Sequence, residues 1–494
     1  MTNLADSNRW LSKTSRLQAK KGLTRRWRSS LTEITEQDGA VTRNFARRTV
    51  YVTLEHKERE FVPKIFLSRL LVNSGYRVYL GSSEAIALLA AEAAPGIFFH
   101  KSTHPSSPFF RSLGHKFVFL DEEGGITTPR SSISDFCRWR YKTVNKDRQD
   151  MVLFPSQKFL AEVKALENAR GVEMAVTGWP RIDLWRKEFR ALYETEVDKL
   201  AERYGKFFLL VSSFGATDES GFLHLIEKES PTDNFKSISE HKREGFYNYL
   251  TLVKDLAPML EKGESIVIRP HPSESISGWK KLVQDLPNVV VVREGDVSPW
   301  IMASAGVLHY GSTSVTQTVL AEKPSLSFRV SERLGVTDTP SFELIPNVHE
   351  VEDAISILRG GEKSSVRVQG TRGLALDALR DFTEYDPNEY ASEKIIAQLD
   401  RLEVEPIFRV ALSRATWVKI FLLHLASGLR ASLHKLGLGG PRSKSIVENL
   451  PGGVRATEVA GQLRRFDDIL NLDSSWSVDG IAPYLVVIEP SLKT

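Results

Sequence analysis

Short apolar runs alternate with helical stretches in the first part of the chain. The run at 49–54 is short and β-branched, as expected of a buried parallel strand, and the apolar spacing at 61–73 predicts a helix that ends before Gly75. Further apolar runs follow at 77–80, 97–100, 117–120, 151–154 and 175–177. Strands that alternate with helices predict a doubly wound parallel sheet.

The same alternation begins again after a charged helical stretch at 185–204. The apolar runs of this second part lie at 207–211, 265–268, 289–292, 306–309 and 325–328. Polar motifs follow strands in both parts, which predicts a ligand between two successive α/β domains. We therefore expect an N-terminal Rossmann-like domain at 46–190 and a C-terminal one at 191–405.

Two basic segments flank these domains. Residues 1–45 are polar and basic, which predicts an arm outside the main fold, and residues 406–494 form a predicted basic, helical extension. Within that extension Phe408–Leu436 is amphipathic, and Gly437 is placed to end the helix. Two alternatives stay open for this helix: contact with an anionic membrane surface, or packing on the second domain.

Composition narrows the class of protein. The 494 residues allow two or three domains, and 41% hydrophobic with 26% charged residues is typical of a globular protein. The single cysteine, Cys137, excludes a disulfide within the chain. Residues 1–30 hold no apolar leader and no run of about 18 apolar residues occurs, so we expect a cytoplasmic protein, free or peripheral at the inner face of the cytoplasmic membrane. The net charge of +4 comes without a nucleic-acid motif, so nucleic acid is not an expected partner.

A cluster of carboxylates follows the predicted strand at 117–120. Asp121, Glu122 and Glu123 precede Gly124 and Gly125, which let a turn approach a ligand closely. One of these carboxylates could accept the proton of an attacking hydroxyl or act as a nucleophile, and the alternative is a solvated acidic turn. No matching set of acids and histidines occurs nearby, so no metal site is expected.

His271 follows another predicted strand. Pro270 and Pro272 restrict the backbone on both sides of it, and Arg269 and Ser273 beside it favour an anion site. An imidazole that titrates near neutral pH can bind or protonate a leaving phosphate. The alternative is a histidine that only ends a strand.

A third turn lies between a predicted strand and a predicted helix. It contains Gly311, Ser312, Thr313 and Ser314, whose amides and hydroxyls could hold a phosphate, although Ser and Thr also serve as ordinary N-caps. Gln317, one turn into the helix, could reach a ribose but lacks the charge of a carboxylate.

The first strand is followed by a dense group of charges. Glu55, Lys57 and Arg59 lie there and could bind an acceptor sugar on the side of the first domain. The same residues fit a solvated helix start equally well.

Five motifs in order resemble the bacterial surface carbohydrate biosynthesis proteins, and the resemblance covers roughly residues 48–330. The motifs lie at 54–60, 120–124, 177–183, 269–274 and 293–300. More distantly, the acidic turn, the His-Pro pair and the Ser/Thr turn are similar to those of bacterial sialyltransferases and of transferases of 3-deoxy-manno-octulosonic acid (Kdo).

The resemblance implies a GT-B-like fold, metal-independent catalysis, no cofactor, and a CMP-linked acidic sugar as the donor substrate. It implies Glu122 or Glu123 as the acceptor-side carboxylate, His271 as the partner of the donor phosphate, and the hydroxyls of 312–314 as phosphate ligands. The family pattern has Cys-Thr-Thr and then a Glu in the helix, whereas this chain has Ser-Thr-Ser and Gln317.

The expected function is therefore transfer of a sugar from a nucleotide-activated donor to a cell-surface polysaccharide or its lipid-linked precursor. Two alternatives share the fold: a nucleotide-sugar epimerase and a CDP-glycerol-type glycerophosphate transferase. A third, from another class, is a non-catalytic component of glycan assembly.

Overall fold

The computed structural model of the protein describes residues 46–93, 95–101, 106–122, 133–227, 233–328, 344–360, 379–409, 411–435 and 446–491. The predicted arm at 1–45, and Glu123, Gly124 and Gly125 of the acidic turn, lie outside these residues.

The first sheet has eight strands, six of which come from the N-terminal part of the chain. These six are β1 Thr49–Leu54, β2 Arg77–Ser82, β3 Ile97–His100, β4 Lys116–Leu120, β5 Met151–Phe154 and β6 Glu173–Val176. They are parallel and lie in the order β2-β1-β3-β4-β5-β6. Because β1 lies between β2 and β3, its carboxyl end is a topological switch point, where ligands of doubly wound folds bind.

The second sheet has six parallel strands. They are β7 Lys206–Val211, β8 Glu264–Arg269, β9 Val289–Val291, β10 Gly306–His309, β11 Ser325–Phe328 and β12 Asn347–Val348. Their order is β12-β11-β10-β7-β8-β9, so β7 occupies the switch position between β8 and β10. With the C-terminal helices described below, these two doubly wound domains confirm the predicted fold class, a GT-B-like α/β protein with a helical C-terminal region.

Helices cover both faces of the sheets. The N-terminal ones are α1 Lys57–Asn73, α2 Ser83–Ala90, α3 Ser107–Ser112, α4 Ile133–Arg140, α5 Gln157–Lys164, α6 Pro180–Asp183 and α7 Glu194–Tyr204. Those of the second part are α8 Glu219–Glu227, α9 Asp233–Leu256, α10 Ile276–Leu282, α11 Val297–Ala303, α12 Val315–Leu320 and α13 Val351–Leu358. Successive residues of a strand point to opposite faces, and accordingly Val50 and Val52 pack in one apolar cluster while Tyr51 packs in another.

The C-terminal part of the chain returns to the first sheet. Its elements are α14 Ala391–Asp400, α15 Arg414–Lys435, α16 Ile446–Asn449, α17 Ala456–Leu470, β13 Trp476–Ala482 and β14 Leu485–Pro490. Helices α14 and α17 pack against α1, although α14 falls within the range predicted for the second domain. Strand β14 pairs antiparallel with β2 and with β13, a hairpin that the sequence pattern did not predict.

The amphipathic stretch at 408–436 forms α15, and it packs on the first domain. The His424 ring lies 3.2 Å from the Ser82 hydroxyl at the end of β2, and it stacks on Tyr484 with ring centroids 4.1 Å apart. The alternative of packing on the second domain is therefore wrong, because periodicity marks the apolar face of a helix without naming the surface that it meets. None of the helices in the described ranges is both long enough and apolar enough to cross a membrane.

Candidate functional site

Charged side chains meet at the carboxyl ends of β1 and β3. Glu60 binds Lys64 at 3.0 Å and Lys101 at 3.2 Å, and Lys101 also binds Glu55 at 2.7 Å. Arg59 reaches Glu60 at 3.1 Å. The predicted group of charges thus consists of the last residues before α1 and the first turn of that helix. Glu55 and Arg59 belong to one network of ion pairs.

Glu60 and Lys64 are the buried centre of this network, with side chains 3% and 2% exposed. Burial acts to raise the pKa of Glu60, but the attraction of Lys64, Lys101 and Arg59 outweighs it and holds the pKa well below its ordinary value. Lys64 also donates to the carbonyl of Thr53 at 2.8 Å. The network therefore fixes the end of β1 to the start of α1 in one arrangement.

Lys57, predicted on the acceptor side, turns to the C-terminal segment. Its ammonium lies 2.6 Å from a carboxylate oxygen of Glu458 and donates to the carbonyl of Gly453 at 2.9 Å. These contacts argue against a role in acceptor binding, because they occupy the ammonium at the start of α17.

The acidic turn divides between two roles. Both carboxylate oxygens of Asp121 accept from Arg140 at 2.9 Å, and its carbonyl accepts the indole N–H of Trp179 at 2.7 Å. This bidentate pair argues against the predicted catalytic role of Asp121 and makes it an anchor for the turn. Glu122 lies 3.3 Å from the Lys64 ammonium, and that oxygen accepts no hydrogen bond from the described residues, so its carboxylate keeps acceptor capacity. Glu123 lies outside the described residues.

His271 lies at the carboxyl end of β8, beside the switch strand β7. Its side chain is exposed, and its Nδ1 accepts the backbone N–H of Ser273 at 3.2 Å and lies 2.8 Å from the Ser273 hydroxyl. Because Nδ1 is an acceptor there, the neutral ring carries its proton on Nε2. The imidazole can therefore donate from Nε2 to an anion, as the sequence suggested, and Ser273 orients the ring.

Glu274 holds this turn against the loop after β7. Its buried carboxylate accepts from the Ser212 hydroxyl at 2.6 Å, the Phe214 N–H at 2.6 Å, the Gly215 N–H at 3.2 Å and the Trp279 indole at 2.9 Å. Burial raises the pKa of Glu274, although these four hydrogen bonds act in the opposite direction. The motif at 269–274 thus supplies a structural acid as well as a histidine.

Arg269, predicted to bind the donor phosphate, points into the protein instead. Its guanidinium donates to the carbonyl of Glu294 at 2.7 Å and to that of Gly295, and it lies over the Trp300 ring at 5.6 Å. The arginine therefore fixes the loop after β9 rather than presenting its charge to a ligand. Pro272 is exposed next to His271.

The turn after β10 contains the three predicted hydroxyls. Ser312 and Ser314 lie 2.8 Å apart through their hydroxyls, and Gly311 has a φ of 57°, which favours glycine. Gln317 donates to the Ser298 hydroxyl at 3.1 Å, whereas its Oε1 is buried with no hydrogen-bond partner among the described residues. The glutamine is thus tied to the start of α11 and retains one unused acceptor.

Lys242 is a candidate that the sequence reasoning missed. It lies on α9 in the stripe of Phe246, Tyr249 and Val253, which faces the core, and it carries no hydrogen bond or ion pair to another described residue. Burial lowers its pKa, and the nearby charge of Glu274 opposes this. Since α9 leads into the parallel strand β8, its N-terminal part lies over the carboxyl ends of the strands. The sequence feature that could have indicated Lys242 is its position one helical turn before Phe246, on the same face of the helix as the apolar residues that face the core.

The two sets of residues belong to one region. Glu58 on α1 of the first domain acts electrostatically on Arg269 of the second, whose pKa is lowered by burial and raised in part by Asp296 and Glu58. Val315, at the start of α12, packs in an apolar cluster with Phe119 of β4. The carboxyl ends of the two sheets therefore face each other, as predicted. Within the described ranges no three His, Cys, Asp or Glu side chains come together as metal ligands.

The fold and the site define a class: two Rossmann-type domains whose polar turns meet at the carboxyl ends of both sheets. Solved structures with similarity to this chain include the wall teichoic acid polymerase TagF, at 12% identity over 72% of this chain and 89% of that one, with a TM-score of 0.42. A putative UDP-N-acetylglucosamine 2-epimerase from Listeria monocytogenes is similar at 11% identity over 72% and 96%, with a TM-score of 0.43. HepE from Anabaena, in complex with UDP and glucose, is similar at 12% identity over 72% and 100%, with a TM-score of 0.38. No family model and no curated protein sequence matches the chain.

Proposed function

We propose that this protein is a metal-independent glycosyltransferase that moves a sugar from a nucleotide-activated donor to a surface polysaccharide or its lipid-linked precursor. The observation that carries the proposal is the exposed imidazole of His271, oriented by Ser273 at the carboxyl end of β8 beside the switch strand. A CMP-linked acidic sugar, of the Kdo or sialic acid kind, is the proposed donor, on the resemblance of the motifs.

The donor phosphate lies on the second domain in this proposal. Nε2 of His271 donates to a phosphate oxygen, and the Lys242 ammonium offsets the charge that grows as the bond between the anomeric carbon and the phosphate oxygen breaks. The hydroxyls of Ser312, Thr313 and Ser314 add hydrogen-bond donors. This assignment places charge stabilisation where the leaving group develops its negative charge.

The acceptor lies on the first domain. Its hydroxyl oxygen attacks the anomeric carbon, and its proton passes to a carboxylate of the acidic turn, Glu122 or Glu123. Glu122 is supported by its unused acceptor capacity beside Lys64. Asp121 is left out of this role because Arg140 occupies both of its oxygens.

The test of the mechanism is His271→Ala, assayed with CMP-, UDP- and CDP-linked donors. We expect transfer to fall by about 10²- to 10⁴-fold, because a general acid or phosphate partner contributes that much, while the melting temperature stays unchanged. His224→Ala, an exposed histidine on α8, is the matched control and should transfer normally. Near-normal turnover by the His271 variant would refute its role, and the products with each donor separate transfer from epimerisation and glycerophosphate transfer.

Binding of free nucleotides tests the donor class separately. Stabilisation of the protein by CMP, but not by UMP or GMP, is the expected result. Stabilisation by another nucleotide alone would overturn the CMP assignment. The absence of binding by all three would favour a non-catalytic assembly component.

A further inference from the structure

Helix α15 exposes an apolar stripe on the side opposite its buried face. Thr416, Ile420, His424 and Ser427 form the buried face against the first domain. The stripe on the other side consists of large exposed side chains at helical spacing, namely Trp417, Val418, Phe421, Leu422, Leu425, Leu429 and Leu433. Leu429 is 58% exposed and Leu422 53%, whereas three of the four residues named on the buried face are polar, so most of the large apolar side chains of the helix lie on its exposed side. A contiguous stripe of this kind marks an interaction surface.

The charges carried by α15 itself have one sign. Lys419 and Arg430 are exposed along one edge of it, Arg414 is exposed at the start of the helix, and 411–435 contains no Asp or Glu. A helix that combines exposed large apolar side chains with flanking cations has the pattern of a surface-lying membrane helix. In a two-fold dimer through this face the same cations would approach one another, with no acid on the helix to pair them.

The position of the stripe points to the acceptor side of the molecule. His424, on the buried face of α15, lies 3.2 Å from Ser82, which ends β2 at the carboxyl edge of the first sheet. An open groove of about 670 Å³ between α15 and α16 adjoins the stripe and is lined by Leu425, Leu429 and Val447 together with Glu448. The groove reaches Pro451, whose carbonyl lies 3.3 Å from the ammonium of Lys57 at the start of α1.

We propose that α15 binds the surface of an anionic lipid bilayer through the stripe at 417–433, and that this orients the carboxyl edge of the first sheet toward the membrane. The apolar side chains enter the boundary between head groups and acyl chains, while Lys419 and Arg430 contact anionic head groups. Membrane binding itself does not depend on the proposed transfer reaction. The orientation does rest on the proposed reaction: it implies that the acceptor is carried by a lipid in the same bilayer.

Flotation of the full chain with vesicles tests the proposal. We expect the protein to float with phosphatidylcholine vesicles that contain phosphatidylglycerol, to float poorly with pure phosphatidylcholine, and to be released by salt. The triple variant Leu422→Glu, Leu425→Glu, Leu429→Glu should bind at least about 10-fold more weakly, because it places three carboxylates in the stripe. Leu223→Glu, at an exposed leucine on α8, is the matched control and should float like the unsubstituted protein.

Circular dichroism and the melting temperature show whether the triple variant folds, and Lys419→Glu with Arg430→Glu provides a second variant that leaves the apolar stripe intact. That variant should lose the preference for anionic vesicles. Failure of the unsubstituted protein to float, or equal flotation of a folded triple variant, would overturn the proposal. A dimer that the triple variant dissociates, without vesicle binding, would assign the stripe to a second copy instead. None of these outcomes depends on transferase activity, so failure here leaves the proposed function to its own test.

Discussion

The most direct test of the second-domain site concerns Glu274, whose side chain is only 4% exposed. In Glu274→Gln the amide oxygen can still accept the N–H groups of Phe214 and Gly215, and the Ser212 hydroxyl can rotate to accept from the new NH₂ group. The Trp279 indole N–H cannot adapt, because it is a donor that would then face another donor. The substitution therefore leaves one buried donor without an acceptor.

The size of the effect follows from that single loss. An unsatisfied buried donor costs roughly 1–3 kcal/mol, so we expect Glu274→Gln to lower the free energy of unfolding by about 2 kcal/mol. The hydrogen bonds to the neutral amide are weaker than those to the carboxylate, but the variant no longer buries a charge, which offsets part of that loss of stability. The cost of burying the charge is the effect that raises the pKa of Glu274. For a domain of this size, about 2 kcal/mol corresponds to a melting temperature roughly 4–8 °C lower.

A double-mutant cycle isolates the pair. Trp279→Phe removes the indole N–H, so Glu274→Gln in that background should cost at least about 1 kcal/mol less than in the unsubstituted protein. Thermal unfolding followed by circular dichroism supplies the four values, and Glu244→Gln, at an exposed glutamate on α9, is the control for loss of charge. A stability of the Glu274→Gln variant within about 0.5 kcal/mol of the original, or an additive cycle, would refute the assignment of Glu274 as the acceptor for Trp279.

Two further predictions concern His115 and Lys242. His115 is buried, its Nδ1 accepts the backbone N–H of Gly96, and its Nε2 lies 3.0 Å from the carbonyl of Ala90. Burial lowers its pKa from 6.5 to about 4, so this histidine takes up a proton at higher pH in the unfolded chain than in the folded one. The contribution of His115 to the free energy of unfolding should therefore be full above pH 6.5 and fall by up to about 3 kcal/mol between pH 6.5 and 4. In His115→Gln the amide can keep both hydrogen bonds and does not titrate, so this variant should not show that loss of stability. Urea unfolding of the two proteins over this pH range is the measurement, and parallel pH profiles would contradict the prediction. For Lys242→Met we expect CMP to bind about 10-fold more weakly at unchanged stability, as measured by calorimetry. The control is Lys254→Met, at an exposed lysine of the same helix. Equal affinities of Lys242→Met and the unsubstituted protein for CMP would remove Lys242 from the site.

The positions of the strands could be predicted from the sequence, because a buried parallel strand is a continuous apolar run. The run at 49–54 is strand β1 to the residue, and four of the five apolar runs of the second part lie wholly on strands, while the run at 289–292 passes the end of β9 by one residue. The hairpin of β13 and β14 was not predictable in the same way, since β13 is largely half-buried or exposed and mixes polar and apolar residues. Its place beside β2 depends on contacts between residues some 400 positions apart along the chain, which no local pattern encodes.

Within the site, the sequence located the turns but did not show which charges are already paired. Arg269 and His271 are two residues apart and equally polar in the sequence, yet only the histidine is exposed. Arg269 is the last residue of β8 and its guanidinium is bound to the carbonyls of Glu294 and Gly295, whereas His271 lies in the turn beyond the strand. Asp121 and Glu122 are adjacent acids, and only the structure shows Arg140 bound to the first. Pairing is a tertiary property, so a charged motif overstates the number of groups available to a ligand.

The difference between paired and unpaired charges also bears on which of the two domains would bind an anionic donor. At the edge of the first sheet the buried cations Lys64 and Lys101 each bind carboxylates of the same network, so neither has an uncompensated charge to offer a phosphate. At the edge of the second sheet Arg269 is turned into the protein, but Lys242 has no ion pair to a described residue and only the more distant charge of Glu274 acts on it. An anion would therefore gain more on the second domain. In the proposed function the acidic turn is then the place for the neutral hydroxyl that loses a proton, so the donor and the acceptor would be bound by different domains.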